Sequence, residues 1–182
     1  MNTSKTISPI WKLIISILIC ETTGIVSGLI ANTGMNPWFE TLNKPSWNPP
    51  AFLFGPVWTF LYLLMGISLW LIWKSAAPVQ QKSNAIILFS QQLFLNFWWG
   101  IIFFIYSPAF ALVNIILMLI LFLITIISFS RLSKPAAWLL IPYIAWVSFA
   151  TILNYTISAL NKWGCLKRAD SFYVMANIYN IS

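Results

Sequence analysis

Histidine is absent from the 182 residues, and only three residues, Glu21, Glu40 and Asp170, are acidic. Without histidine the chain cannot form a Ser-His-Asp triad, a zinc site with imidazole ligands or a haem site with a proximal histidine. Three carboxylates in the whole chain also argue against a carboxylate metal cage or an acid–base pair. We therefore expect no metal site and no intrinsic cofactor, so any chemistry rests on aromatic, amide and hydroxyl groups or on a bound molecule.

Cysteine and charged residues are also scarce. Cys20 and Cys165 stand far apart and form no CxxC motif, which argues against a disulfide framework or a thiolate metal site. Charged residues make up 7% of the chain, whereas about a quarter of a soluble domain is charged. Hydrophobic residues reach 60%, with a mean hydropathy of +0.84. These figures exclude the class of soluble globular proteins and indicate a membrane protein.

The net charge of +7 would suggest nucleic-acid binding if the protein were soluble. Here the basic residues stand singly at the ends of apolar runs, where lipid head groups and membrane topology require positive charge. We therefore expect a lipid bilayer, and no nucleic acid, as the partner of these charges.

Five apolar runs each have the roughly 20 residues that a membrane-spanning helix needs. They cover 11–31, 52–73, 85–106, 109–129 and 136–160. The runs predict an all-α integral membrane protein, a bundle of five transmembrane helices with a long structured loop between helices 1 and 2. We assign residues 1–161 to this transmembrane domain and 162–182 to a C-terminal tail.

The connections between the runs differ in length. Those at 107–108 and 130–135 are short, so they predict antiparallel hairpins. The connection between the first two runs has about 20 residues, and long loops in compact domains are usually functional or disordered. Because Trp38 and Trp47 favour burial, we expect this loop to pack over the bundle as a lid.

Aromatic and amide side chains recur at helical spacing in three of the runs, so each set occupies one helix face. Such groups are costly against lipid tails, and the three faces are expected to point inward. Together they predict a pocket for a large, flat, apolar ligand, although periodicity alone leaves plain interior packing as an alternative. The sets are Trp58, Tyr62 and Met65; Gln92, Asn96, Trp99 and Phe103; and Tyr143, Trp146, Ala150 and Asn154.

Glu21 falls near the middle of the first run, where a charged side chain costs roughly 3 kcal/mol. We expect its side chain to face the bundle or to be protonated, either as a ligand or proton contact or as a neutral acid bonded to a neighbouring helix. Gly24, Ser27, Gly28 and Ala31 form pairs of small residues that permit close helix approach. They suit internal packing and a homodimer interface equally well.

Four stretches resemble the TspO/MBR family, the tryptophan-rich sensory proteins, whose mitochondrial members are called translocator protein or peripheral benzodiazepine receptor. The stretches are NKPSWNPP at 43–50, FGPVWTFLYLLMG at 54–66, LNFWWGIIFF at 95–104 and PYIAWVSFATILNY at 142–155. Their order and spacing agree with five spans.

The resemblance implies a receptor or sensor, commonly a homodimer, with an intramembrane pocket under the long loop. The ligands would be porphyrins such as protoporphyrin IX or haem, and related flat apolar molecules. The resemblance also implies the bacterial cell membrane, or the mitochondrial outer membrane in a eukaryote, as the location. By position, the ligand-binding residues would be Trp38, Phe39, Pro49, Pro50, Trp58, Tyr62, Asn96, Trp99, Trp146 and Ala150.

Two alternative functions remain open from the sequence. The first is light-dependent porphyrin degradation, for which the resemblance implies Trp58 and Trp146 as the catalytic indoles. The second is transport of tetrapyrroles or sterols, which the sequence favours less because it shows no inverted repeat. The sterol motif expected after the fifth span also fails by one residue, since six residues separate Tyr155 from Lys162.

Overall fold

Five helical segments among the described residues are long and apolar enough to cross a bilayer. The computed structural model describes residues 8–33 and 41–161. Its helices are α1 (Pro9–Thr33), α2 (Ala51–Lys74), α3 (Val79–Ile101), α4 (Pro108–Leu132), α5 (Lys134–Leu139) and α6 (Ile141–Leu160). A π-helical turn, Ile102–Tyr106, continues α3, and α5 and α6 together form the fifth span. The predicted five-span, all-α architecture is confirmed, while the proposed tail at 162–182 lies outside the described residues.

The third span begins earlier than its apolar run. The run starts at residue 85, whereas α3 starts at Val79, directly after Pro78. The added first turns are polar, and the Gln80 amide donates to Asn84 Oδ1 over 3.0 Å. Hydropathy identifies only the part of a helix that lies in hydrocarbon, so it misses turns that extend into the head-group region.

Each of the two tight connections contains a serine with a proline one or two residues after it. Ser107 has extended backbone angles, its side chain accepts from the Ala109 amide over 3.2 Å, and Pro108 begins α4. Ser133 plays the same part before α5, with Pro135 in the first turn. Serine is a favoured N-cap and proline a favoured first-turn residue, because each suits the unpaired amides of a helix start.

The fifth span is broken in two. Pro142 predicts a kink because proline removes a backbone donor from the helix interior. The structure places the break at Leu140 and puts Pro142 in the first turn of α6, where the missing donor costs nothing. The predicted kink is confirmed.

The helices form a closed bundle with an aromatic interior. Helix α1 packs against α2 and α3, α4 packs against α3 and α6, and α5 packs against α2 and α4. Phe122 of α4 stacks on Tyr143 of α6 with ring centroids 4.2 Å apart, and Phe89 stacks on Phe129 at 5.8 Å. This packing fills the half of the bundle that lies away from the long loop.

Small residues let α1 approach its neighbours. A Cβ atom on Gly66 of α2 would lie 2.6 Å from the Cα of Ile17, and one on Gly24 would collide with the ring of Tyr62. Both glycines are therefore required where α1 crosses α2.

The other small residues of α1 mostly face α3. The Ser27 hydroxyl donates to the Phe97 carbonyl over 2.6 Å, and a Cβ on Gly100 would lie 3.6 Å from the Cβ of Ala31. Of the two uses that the sequence left open for these residues, the structure shows internal packing for Gly24, Ser27 and Ala31.

Replacing Gly66 with alanine should destabilise the protein by about 1–3 kcal/mol, because the new methyl group meets backbone that cannot move without separating α1 from α2. The matched control is Gly55→Ala on the same helix, where a Cβ has no atom within 4 Å. Thermal unfolding of the detergent-solubilised variants checks this. If Gly66→Ala unfolds at the same temperature as Gly55→Ala, the close contact between Gly66 and Ile17 is contradicted.

Candidate ligand cavity

A cavity of about 680 Å³ lies at the end of the bundle where the α1–α2 connection passes. Helices α1, α2, α3 and α6 and the π-helical turn form its walls, and the residues from Lys44 to Pro50 cover one end. The volume falls within the roughly 300–1,000 Å³ typical of small-molecule sites. A Cβ on Gly28 or Gly55 would meet nothing within 4 Å.

Most of the predicted ligand-binding residues lie together on these walls. Of the three inward faces expected from helical spacing, the tryptophans Trp58, Trp99 and Trp146 are half-buried and the other residues are buried. Residues far apart in the sequence meet around one space. The predicted residues that line the cavity are Pro49, Pro50, Trp58, Tyr62, Asn96, Trp99 and Ala150.

Trp58 occupies the centre of an aromatic wall. Its ring centroid lies 5.8 Å from Tyr62, 5.9 Å from Trp99 and 6.1 Å from Tyr143. The rings come from α2, α3 and α6 and are tilted or edge-on to one another, as aromatic side chains prefer. Trp58 and Trp99 thereby present apolar ring surface to the cavity while their other sides are held by packing.

Trp146 does not line the cavity, contrary to the sequence-based expectation. Its ring packs against Phe54 at 5.9 Å and Phe149 at 5.4 Å, and Phe54 is the ring that reaches the cavity. Helical spacing places Trp146 on the same face of α6 as Ala150, but it cannot show that a side chain of α2 covers it. The Trp146 Nε1 atom is buried and has no hydrogen-bond partner among the described residues.

The described half of the long connection is fixed to the end of α6. The Asn43 amide donates to Asn161 Oδ1 and Asn161 Nδ2 donates back to the Asn43 carbonyl, both over 3.0 Å. Trp47 lies edge-on to Phe149 at 5.9 Å but is 45% exposed, so burial of its ring is only partial. The predicted contacts Trp38 and Phe39 lie outside the described residues.

One wall of the cavity is polar. Tyr62 and Asn96 both line this wall, and the Asn96 side chain is 2% exposed. The Asn96 Nδ2 atom has no partner among the described residues. The Asn154 amide, oriented to satisfy its neighbours, donates to the Pro108 carbonyl over 2.8 Å and accepts from the Leu112 amide over 3.3 Å. Asn154 therefore links α6 to α4 by hydrogen bonds, whereas the Nδ2 donor of Asn96 stays unpaired among the described residues.

Comparison with known sequences decides the family. The sequence model of the TspO/MBR family matches residues 16–160, which include α1 from Ser16 onward and every later span. The chain belongs to the TspO/MBR family. It is thus a membrane protein of that family with five candidate spans.

Relatives come from bacteria and from animals. The tryptophan-rich protein TspO of Chlorobaculum tepidum is 40% identical over 153 residues, 84% of this chain and 97% of the relative. The human translocator protein is 39% identical over 122 residues, 66% of this chain and 72% of the relative. The tryptophan-rich sensory protein of Cereibacter sphaeroides is 33% identical over 139 residues, 74% of this chain and 85% of the relative.

Several cavity residues of this TspO/MBR chain were missed as site residues from the sequence. Phe54 stands one turn before Trp58, so extending that face backward would have found it. Phe103 belongs to the inward face that the sequence predicted for the third span. Its neighbour Phe104 was not part of that face, yet it also lines the cavity. Both phenylalanines lie in the π-helical turn, whose spacing differs from that of the α-helix used for the prediction. Glu21 lines the cavity as well.

Proposed function

We propose that this TspO/MBR protein is a membrane receptor or sensor that binds porphyrins of the protoporphyrin IX type in the cavity. The observation that carries the proposal is the cavity of about 680 Å³ walled by Trp58 and Trp99. A flat macrocycle offers large ring faces, and indole rings provide matching apolar surface at low entropic cost. The homodimer that the resemblance implies remains a prediction.

The charge at the covered end supports a ligand with carboxylate groups. Lys44 lines the cavity from the α1–α2 connection, on the side where helix ends leave the hydrocarbon. An ammonium group in that position suits a propionate, because charge-assisted hydrogen bonds are stronger than neutral ones. An amphiphilic porphyrin would therefore place its ring among the indoles and its carboxylates beside Lys44.

A second candidate function is light-dependent porphyrin degradation. Trp58 supports it, because its indole lines the cavity and would contact a bound ring. In the first step the photoexcited porphyrin would take one electron from the indole, giving a porphyrin radical anion and an indole radical cation. Trp146 stands behind Phe54, so its indole would not contact the ligand.

Binding should be visible as saturable quenching of tryptophan fluorescence by protoporphyrin IX in nanodiscs. Ala150→Leu extends a side chain into the cavity and should weaken binding by about 1–3 kcal/mol, the usual cost of overpacking. The matched control is Ala145→Leu, on the exposed side of the same helix. Absence of saturable quenching in the wild type would contradict porphyrin binding, and equal affinity of both variants would place the ligand elsewhere.

Degradation should depend on Trp58 and not on Trp146. Under illumination with porphyrin at saturating concentration, Trp58→Phe should slow the loss of porphyrin absorbance several-fold, because phenylalanine is much harder to oxidise than indole. Trp146→Phe should bleach at the wild-type rate. A Trp146→Phe variant that slows bleaching as much as Trp58→Phe would contradict the assignment of the electron donor to Trp58.

A further inference from the structure

Glu21 is the one acidic side chain among the described residues, and it lies in the membrane-spanning part of the cavity wall. It stands in the middle of α1 (Pro9–Thr33). Ionisable side chains at such a depth are costly unless they have a partner or a function. The carboxyl group of Glu21 is therefore expected to have a partner or a function.

The described part of the protein supplies no partner. Within residues 8–33 and 41–161, the Glu21 carboxyl group forms no hydrogen bond and no ion pair. The basic residues of those segments stand at helix ends or in connections. Lys44 also lines the cavity, but it belongs to the connection that covers the cavity end. Glu21 is therefore an acceptor in an apolar space with no cation beside it.

A second polar group on the cavity wall is also unpaired. The titratable groups nearest Glu21 are Cys20, which is fully buried, and Tyr62, which lines the cavity. Asn96 lines the same cavity, and its buried Nδ2 donor has no partner among the described residues. An acceptor on α1 and a donor on α3 thus border one space, which is the arrangement of a site that orients a polar ligand.

We propose that Glu21 selects ligands that carry a basic or N–H-donating nitrogen on a flat aromatic frame, and that the spare Asn96 donor binds an acceptor of the same ligand. The inference rests on the proposed function, because it requires the cavity to bind ligands. In free-base porphyrins the matching donors are the pyrrole N–H groups. Glu21 is then a specificity-determining residue of the cavity.

The physical basis of this selectivity is the low polarity of the site. A charge-assisted hydrogen bond is strong where water is scarce. A ligand without a donor would displace water from the carboxyl group and leave it unpaired, which costs more than the lost contact alone. Sites that contain a buried polar group reject analogues that cannot pair with it.

Two pyrene probes of nearly equal shape test the proposal on the full-length protein in nanodiscs. 1-Pyrenemethylamine carries an ammonium group, and 1-methylpyrene carries none. Energy transfer from tryptophan to pyrene reports binding, and empty nanodiscs of the same lipid give the partitioning of each probe. After this correction the wild type should bind the amine at least roughly tenfold more tightly than the hydrocarbon.

Variants of α1 assign the preference to the carboxyl group. Glu21→Gln should bring the ratio of the two affinities close to one while leaving 1-methylpyrene binding within about twofold. Glu21→Asp retains a carboxyl group and should keep part of the preference. Thr22→Val, an exposed neighbour outside the cavity wall, is the matched control and should behave as the wild type.

The outcomes separate this inference from porphyrin binding. A wild type that binds both pyrenes equally, or a Glu21→Gln variant that keeps the full preference, overturns the role of Glu21 even if protoporphyrin IX still binds. A wild type that binds neither pyrene nor protoporphyrin IX overturns the proposed function itself. Should Glu21→Gln fail to fold, the wild-type ratio and the Glu21→Asp variant still decide the matter.

Discussion

The close crossing of α1 and α2 is the contact on which the rest of the structure depends. Helices in a bilayer gain little from the hydrophobic effect, so they associate through tight packing and interhelical hydrogen bonds. Gly66 against Ile17 supplies the tight packing, and Ser27 against Phe97 supplies such a hydrogen bond. Along the cavity wall the two helices are not in such close contact, because Gly28 of α1 and Gly55 of α2 have open space beside them.

The two halves of the bundle consequently have different roles. Stacked rings such as Phe122 and Tyr143 fill the half away from the long connection. In the other half, rings from α2, α3 and the π-helical turn surround a space rather than fill it. Trp58 belongs to both arrangements, because it contacts Tyr143 and also lines the cavity. The tightly packed half holds the side chains of the cavity in place before a ligand binds. This preorganisation reduces the entropic cost of binding.

The sequence predicted much of the site because residues that face the interior of a helical bundle recur at helical spacing. Amides and indoles avoid lipid, so the inward faces of α2, α3 and α6 were visible from spacing alone, and the resemblance added the prolines of the connection. Trp146 shows the limit of that reasoning. Its position on the inward face was right, yet Phe54 from another helix separates it from the cavity, and periodicity contains no information about neighbouring helices.

The sequence by itself determined that the protein lies in a membrane, how many helices can span it and which helix faces point inward. Each of these follows from the local free energy of placing a side chain in lipid or in water. It also excluded histidine-based chemistry, because the chain contains no histidine. Only the tertiary structure decided that Gly24 packs internally, that a π-helical turn brings Phe104 to the cavity and that Glu21 faces an apolar space with no described cation beside it. Those facts depend on how far apart the helices stand, which is set by contacts between residues that are remote in the chain.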